Sequence, residues 1–305
     1  MLKKIFKGIT RRLFSLDWWG FRILLVKYFF IDLFCFRKVL LLHAYLPNKG
    51  LKIGHYNLGD DLNLILLKFL TDKIIIPYRY ATLSKWLKRD VYMCIGSNLD
   101  SPKLNAIVWG NGSMCEKIPL TVEPKKILAV RGPLTRENML LNGLECPEIY
   151  GDPALLMPYY YQPKGIAKKY MMGIVPHMVD HDLEIIQFYK KQDGVQIIDI
   201  QNYKTWRDFI NKLCECEFIL SSSLHGIILS DAYHIPNMWI KLSDKVLGDG
   251  FKFRDYFRSV GKKEICEPLI LDHFIPLKEL LDYKSCWQEA VIDLDKLMSV
   301  CPFIK

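Results

Sequence analysis

The chain reads as an α/β protein made of two Rossmann-like halves that face each other across a cleft. Three observations predict this. Its 305 residues are enough for two domain cores of about 120 to 150 residues each. In the second half, apolar runs of strand length alternate with runs of helical spacing, as βαβ units require. In the first half the apolar runs are short and closed by Gly or Arg, the habit of parallel strands buried on both faces. Half the residues are apolar and a quarter charged, a composition that excludes a disordered or fibrous chain.

The elements follow in order. Residues 38–44 (KVLLLHA) read as a first buried strand, followed by the polar loop HYNLGDD and the helical run LNLILLKFL. Strands are expected at 91–95, 106–109 and 127–130, and Pro133 opens a helix that Gly143 closes. Residues 158–169, with two prolines, a glycine and clustered lysines, form the expected linker. It separates a domain over 39–160 from a second over 165–265. In the second, strands at 170–175, 195–200, 217–220 and 238–242 enclose helices at 181–192, 205–216 and 224–234. Two such halves hold a ligand at the carboxyl ends of their strands. Residues 266–305 form a tail of helical character that can pack back on the first domain.

The charge is unevenly placed. Residues 1–50 hold ten Lys or Arg against Asp17 and Asp32, a net +8, so the remaining 255 residues carry only +1 of the total of +9. These basic residues alternate with Phe6, Phe14, Trp18, Trp19, Phe21, Tyr28, Phe29, Phe30 and Phe34. That mixture suits a water–lipid interface better than nucleic acid. Lys27 and Asp32 interrupt the apolar run 23–36, which is shorter than the roughly 20 residues that cross a bilayer. The segment 1–38 is therefore expected to lie on a membrane surface through residues 1–36, the alternative being a buried first helix with a basic outer face. Nine cysteines, odd in number, show no CxxC pair, and with no cleavable signal peptide recognised they fit reduced thiols of a cytoplasmic protein.

The sharpest local signal is FILSSSLHGII at 218–228. A strand runs into Ser222 and Ser223 at a helix start, where unpaired N–H groups and the helix dipole favour a phosphate. His225 and Gly226 lie in the first turn. Plain N-capping with an exposed His225 is the competing reading. Arg131 and Lys241 each follow or end a strand and suit a carboxylate or phosphate. Asn57 and Asp60, beside a turn-forming glycine, can hydrogen-bond sugar hydroxyls or simply build a turn. His177, near Asp180, His181 and Asp182, reads as a substrate contact rather than a metal ligand, because the group spans a strand-to-helix junction. No GxGxxG or GxxxxGK[ST] occurs, so nicotinamide and ATP chemistry lose support.

Taken together, NLGDDLN, VWGNG, AVRGPLTRE, YGDPALL, GIVPH and SSSLHGIILSDAYHIP, in this order, resemble the polysaccharide pyruvyl transferase family over residues 57–241, about 60% of the chain. The resemblance implies a GT-B-like glycosyltransferase architecture and phosphoenolpyruvate as donor, with no organic cofactor or metal. It also implies a glycan or lipid-linked oligosaccharide as acceptor, and a pyruvate ketal with phosphate as products. It puts Arg131, His225 and Lys241 at the donor, with the NLGDD segment toward the acceptor. Histidine titrates near neutrality, which favours His225 over Arg131 as the proton donor. A peripheral location on the inner face of the cytoplasmic membrane follows from the charge argument joined to this pathway. A sugar-nucleotide glycosyltransferase of the same architecture is the alternative enzyme, and a membrane-bound scaffold without turnover the non-enzymatic one.

Overall fold

The computed structural model describes residues 16–54, 56–117, 119–262 and 267–303. The basic residues Lys3, Lys4, Lys7, Arg11 and Arg12, with Phe6, Phe14, His55 and Cys266, lie outside the described residues.

The described chain begins with helix α1 (Leu16–Phe34) and strand β1 (Val39–Leu42), followed by the short antiparallel hairpin β2 (Asn48–Lys49) and β3 (Lys52–Ile53). Helix α2 (Leu58–Leu70), strand β4 (Ile74–Pro77), helix α3 (Leu83–Trp86) and strands β5 (Val91–Met93), β6 (Ala106–Trp109) and β7 (Lys126–Ala129) follow. Helix α4 (Pro133–Leu141), a 3-10 turn (Pro153–Leu156) and helix α5 (Met157–Tyr160) lead to the second half. There β8 (Met172–Val175), α6 (Glu184–Tyr189), β9 (Val195–Ile197), α7 (Trp206–Cys214), β10 (Ile219–Ser221), α8 (Leu224–Ala232) and β11 (Asn237–Lys241) alternate. Helix α9 (Phe251–Ser259), strand β12 (Leu269–Ile270) and helices α10 (Leu277–Asp282) and α11 (Leu294–Ser299) complete the order.

The strands form two five-stranded parallel sheets, β4-β1-β5-β6-β7 and β12-β11-β10-β8-β9. Counted within each half, both orders read 2-1-3-4-5, the flavodoxin-like doubly wound pattern, and in that pattern ligands bind where the strand order reverses. One apolar cluster runs through both halves, from Leu40, Leu42 and Trp109 to Ile219, Leu224 and Ile228. The sheets therefore share a core.

Sequence and structure differ in instructive places. NLGDD is no loop: Asn57 caps α2, its Oδ1 accepting from Gly59 N at 3.1 Å, so Asp60 sits in the first helical turn. The helix expected at 181–192 shrinks to Glu184–Tyr189, because His181 is held between Asp182 and Asp199 at 2.9 Å each. Leu269–Ile270, within the tail expected to be helical, pairs with β11 as the fifth strand of the second sheet. The far end of the tail packs on the first sheet, with the Trp109 indole donating to Leu297 O at 3.0 Å.

Helix α1 packs one side on the protein, as the buried-helix reading of its sequence expects. One side, with Leu24, Tyr28 and Ile31, packs on Val39, Leu41 and Tyr80 of the first sheet. Trp19, Ile23, Val26, Phe30 and Leu33 form an apolar stripe on the other side and are exposed. Asp32, which looked like a charge interrupting a span, is fully buried. It accepts from Thr82 N at 3.1 Å, from Ser84 N at 2.8 Å and from Ser84 Oγ, thereby capping α3. Asp32→Ala orphans these donors and is expected to cost about 3 kcal/mol, read as a lower denaturant midpoint with unchanged slope. No helix among the described residues is long and apolar enough to cross a membrane.

Candidate active site

The second sheet reverses order between β8 and β10, and the loops beyond these strands meet there. Ser222, just after β10, accepts from His177 N at 2.8 Å and donates to Asp180 Oδ2 at 2.9 Å. Ser221 Oγ accepts from Ser223 N at 3.0 Å, and Ser223 holds the N-cap position of α8 without a side-chain cap bond. The serine hydroxyl of Ser222 thus fixes the His177 loop and is 2% exposed. Gly226 serves packing. A Cβ there would lie 2.3 Å from Ser221 Oγ and 2.9 Å from Val175, so only glycine lets α8 close on the sheet.

His225 is buried rather than exposed, its side chain only 12% accessible. The imidazole reaches across to the first half. A Cβ on Gly59 would lie 2.1 Å from its Nδ1, so the glycine of NLGDD admits the ring. Its Nε2 stands 3.7 Å from Asp152 Oδ2, and neither of these buried atoms has a hydrogen-bond partner. Burial lowers the His225 pKa to about 3, with Lys252, Arg131 and His177 adding to the shift. The expectation that His225 titrates near neutrality is therefore not met: at pH 7 the ring is neutral.

Asp152, from the YGDP segment, holds the 3-10 turn Pro153–Leu156 through Oδ1, which accepts from Ala154 N at 2.9 Å. Burial pushes its carboxyl up to about 7, against the Ala154 hydrogen bond and the charge of Arg131. Asp60 is likewise pushed up to about 7, by burial and by Asp61, against the pull of Lys252. Both carboxyls are poised to exchange a proton near neutrality. His177, half-buried, is lowered to about 4 by burial and Lys252.

Arg131 lies at the carboxyl end of β7 and is fully buried. Nε donates to Asp255 Oδ2 at 2.9 Å, Nη2 to Ser113 O at 2.7 Å and Nη1 to Ser97 Oγ. A Cβ on Gly112 would lie 2.3 Å from its Cζ. Asp255 also accepts from Thr135 N at 2.9 Å and Thr135 Oγ1 at 2.6 Å. Arg131 is a charge held by protein partners on every nitrogen.

The cation without such partners is Lys252, which the sequence reading did not single out. It opens the first turn of α9 three residues before Asp255, so both face the same way. Only 7% of it is exposed, and no hydrogen bond holds its ammonium among the described residues. Burial and Arg131 lower its pKa to about 8, opposed by Asp60, Asp180 and Cys115. Lys241, by contrast, is half-exposed and paired with Asp244 Oδ1 at 2.6 Å. It lines a neighbouring cavity of about 400 Å³ with Ser222, Trp239 and Arg254. The structure thus gathers His225, Asp60, Asn57 and His177 with Asp152 and Lys252, while Lys241 stands aside. Among the described residues no group of three or more His, Cys, Asp or Glu side chains is placed to hold a metal ion.

Comparison with known proteins bears on this geometry. Residues 120–244 match the profile of the polysaccharide pyruvyl transferase family. Over this stretch the chain is similar to that family. The matched segment contains Arg131, Asp152, His177, His225 and Lys241, whereas Asp60, Lys252 and Asp255 come from outside it. Over 210 residues, 68% of this chain, it is 29% identical to the succinoglycan biosynthesis protein ExoV of Rhizobium meliloti (strain 1021). That match spans 62% of the relative's length. A second match, 26% identical over 209 residues, is to uncharacterized protein L143 of Acanthamoeba polyphaga mimivirus, covering 67% of this chain and 71% of that protein.

Proposed function

We propose that the protein transfers the pyruvyl group of phosphoenolpyruvate onto two hydroxyls of one sugar in a surface glycan. The observation that carries the reading is the buried pair His225 and Asp152, each with an unpartnered atom facing the other, beside the desolvated ammonium of Lys252. The match of residues 120–244 to the family profile and the likeness to a succinoglycan biosynthesis protein support it. The two sheets of 2-1-3-4-5 order, sharing a core and opening on one site, suit a GT-B-like architecture.

In this scheme the carboxylate and phosphate of the donor sit near Lys252 and the α8 start, within the field of Arg131. A proton passes to the methylene carbon, the enol carbon becomes electrophilic, and a sugar hydroxyl attacks it. A second hydroxyl of the same sugar then displaces phosphate and closes the ketal, its proton leaving with the product phosphate. Asp152, half-protonated near neutrality, is the acid, with Asp60 its competitor. Neutral His225 is the base that takes the hydroxyl proton. No step calls for a metal or organic cofactor.

The test is phosphate release from phosphoenolpyruvate by the purified chain with a panel of free and lipid-linked glycans. Acceptor-dependent release that His225→Ala abolishes is the expected result. No release, with thermal protection by a nucleotide sugar but not by phosphoenolpyruvate, overturns the reading in favour of glycosyl transfer.

The same reading assigns the protein to the inner face of the cytoplasmic membrane, where lipid-linked acceptors are exposed. Its support is the α1 stripe, with Val26 58% and Phe34 76% exposed and Arg22 and Lys27 beside it. Ile23→Ser/Val26→Ser/Phe30→Ser is expected to stop flotation with anionic vesicles while leaving the melting temperature unchanged. Co-flotation equal to wild type refutes the membrane assignment.

A further inference from the structure

A second cleft opens on the opposite side of the α2 start. Tyr45 lies just beyond β1 and Tyr56 just before the cap of α2. Their rings meet at 6.2 Å and 67°, yet they are 60% and 40% exposed. Gln201 and Asn202, from the loop beyond β9, face them across a cavity of about 430 Å³. The cleft is thus built from the carboxyl ends of strands in both sheets.

Its chemistry is that of a neutral, polyhydroxylated ligand. Two open aromatic faces beside side-chain amides present apolar surface and paired donors and acceptors together, which is what a sugar ring with one C–H face and several hydroxyls needs. Among the described residues the hydroxyls of Tyr45 and Tyr56 and the Gln201 side-chain amide have no hydrogen-bond partner. Asp17, a carboxylate of the lining, accepts from Gly50 N at 2.7 Å, and among the described lining residues Lys49 is the cation.

The cleft also lies close to the reacting centre. Tyr56 stands three residues before Gly59, which touches His225, so their Cα atoms are at most about 11 Å apart. We propose that this cleft is an acceptor subsite, in which Tyr45 and Tyr56 carry the saccharide unit adjoining the one that is modified and Gln201 and Asn202 hold its hydroxyls. The ligand class rests on the pyruvyl transfer reading; the cleft itself does not.

The full chain and its Tyr45→Ala/Tyr56→Ala variant are to be compared on an array of bacterial surface oligosaccharides, with phosphoenolpyruvate protection measured in parallel. The expected result is a loss of affinity of at least roughly tenfold for the best-bound glycan, with phosphoenolpyruvate protection and melting temperature unchanged. Gln201→Ala, which removes a side-chain amide with no hydrogen bond among the described residues, should weaken the same glycan and gives the answer if the double variant fails to fold. Glycan affinity within twofold of wild type in these variants, or no glycan bound by the wild type, overturns the subsite. Absent phosphoenolpyruvate protection in the wild type, with glycan binding that the tyrosine substitutions abolish, instead refutes the donor reading and leaves the subsite standing.

Discussion

Lys252→Met is expected to abolish protection by phosphoenolpyruvate and to lower kcat/KM by roughly 10²- to 10³-fold, the scale of removing one preorganised electrostatic donor. The methionine keeps the length and the packing beside Phe253 but carries no charge. A purely structural lysine would give the opposite stability signature. The folded-state pKa of Lys252 is lowered to about 8 from 10.5, so folding penalises its charged form. That penalty is fully present below pH 8 and disappears as pH rises from 8 toward 10.5. At pH 7 the variant should therefore melt higher than wild type while working far worse, a separation that marks a group kept for function rather than for the fold. Activity within threefold of wild type would remove Lys252 from the donor site.

The fold was legible wherever a strand is a short aliphatic run ended by a turn residue. Residues 106–109 are placed to the residue, and the β10–α8 junction is found because a continuous apolar run gives way to helical spacing across the serines. Helix α9 escaped for a physical reason. Phe251, Phe253, Tyr256 and Phe257 bury an aromatic face, yet Lys252 and Asp255 between them are buried as well. A sequence pattern reads such charges as solvated. What buries Asp255 is Arg131, 124 positions away in the chain, and such long-range pairs leave no local signal. Lys241 drew attention for the converse reason: it ends a strand, but its ammonium turns to Asp244 three residues on. At His225 the motif gave the residue, while its protonation state depends on burial and on cations from two other segments.

Asp152→Asn separates the acid from the scaffold at the same site. Asparagine keeps the Oδ1 that accepts from Ala154 N, so the turn after it should persist. It cannot deliver a proton, and kcat should fall by about 10²- to 10³-fold. In the wild type the active, protonated form of a carboxyl raised to about 7 is lost as pH rises, so kcat/KM should decline through pH 7. That limb should vanish in the variant. Stability moves the other way. A carboxyl whose folded pKa stands above its unfolded value near 3.8 withdraws stability as pH climbs from about 4 to 7, here on the order of 4 kcal/mol. Asparagine has nothing to ionise, so its advantage over wild type should grow across that window and level off above it. Asp60, also raised to about 7, is the competing acid. A limb that survives Asp152→Asn but disappears in Asp60→Asn would move the proton donor to the α2 start, on the acceptor side of His225.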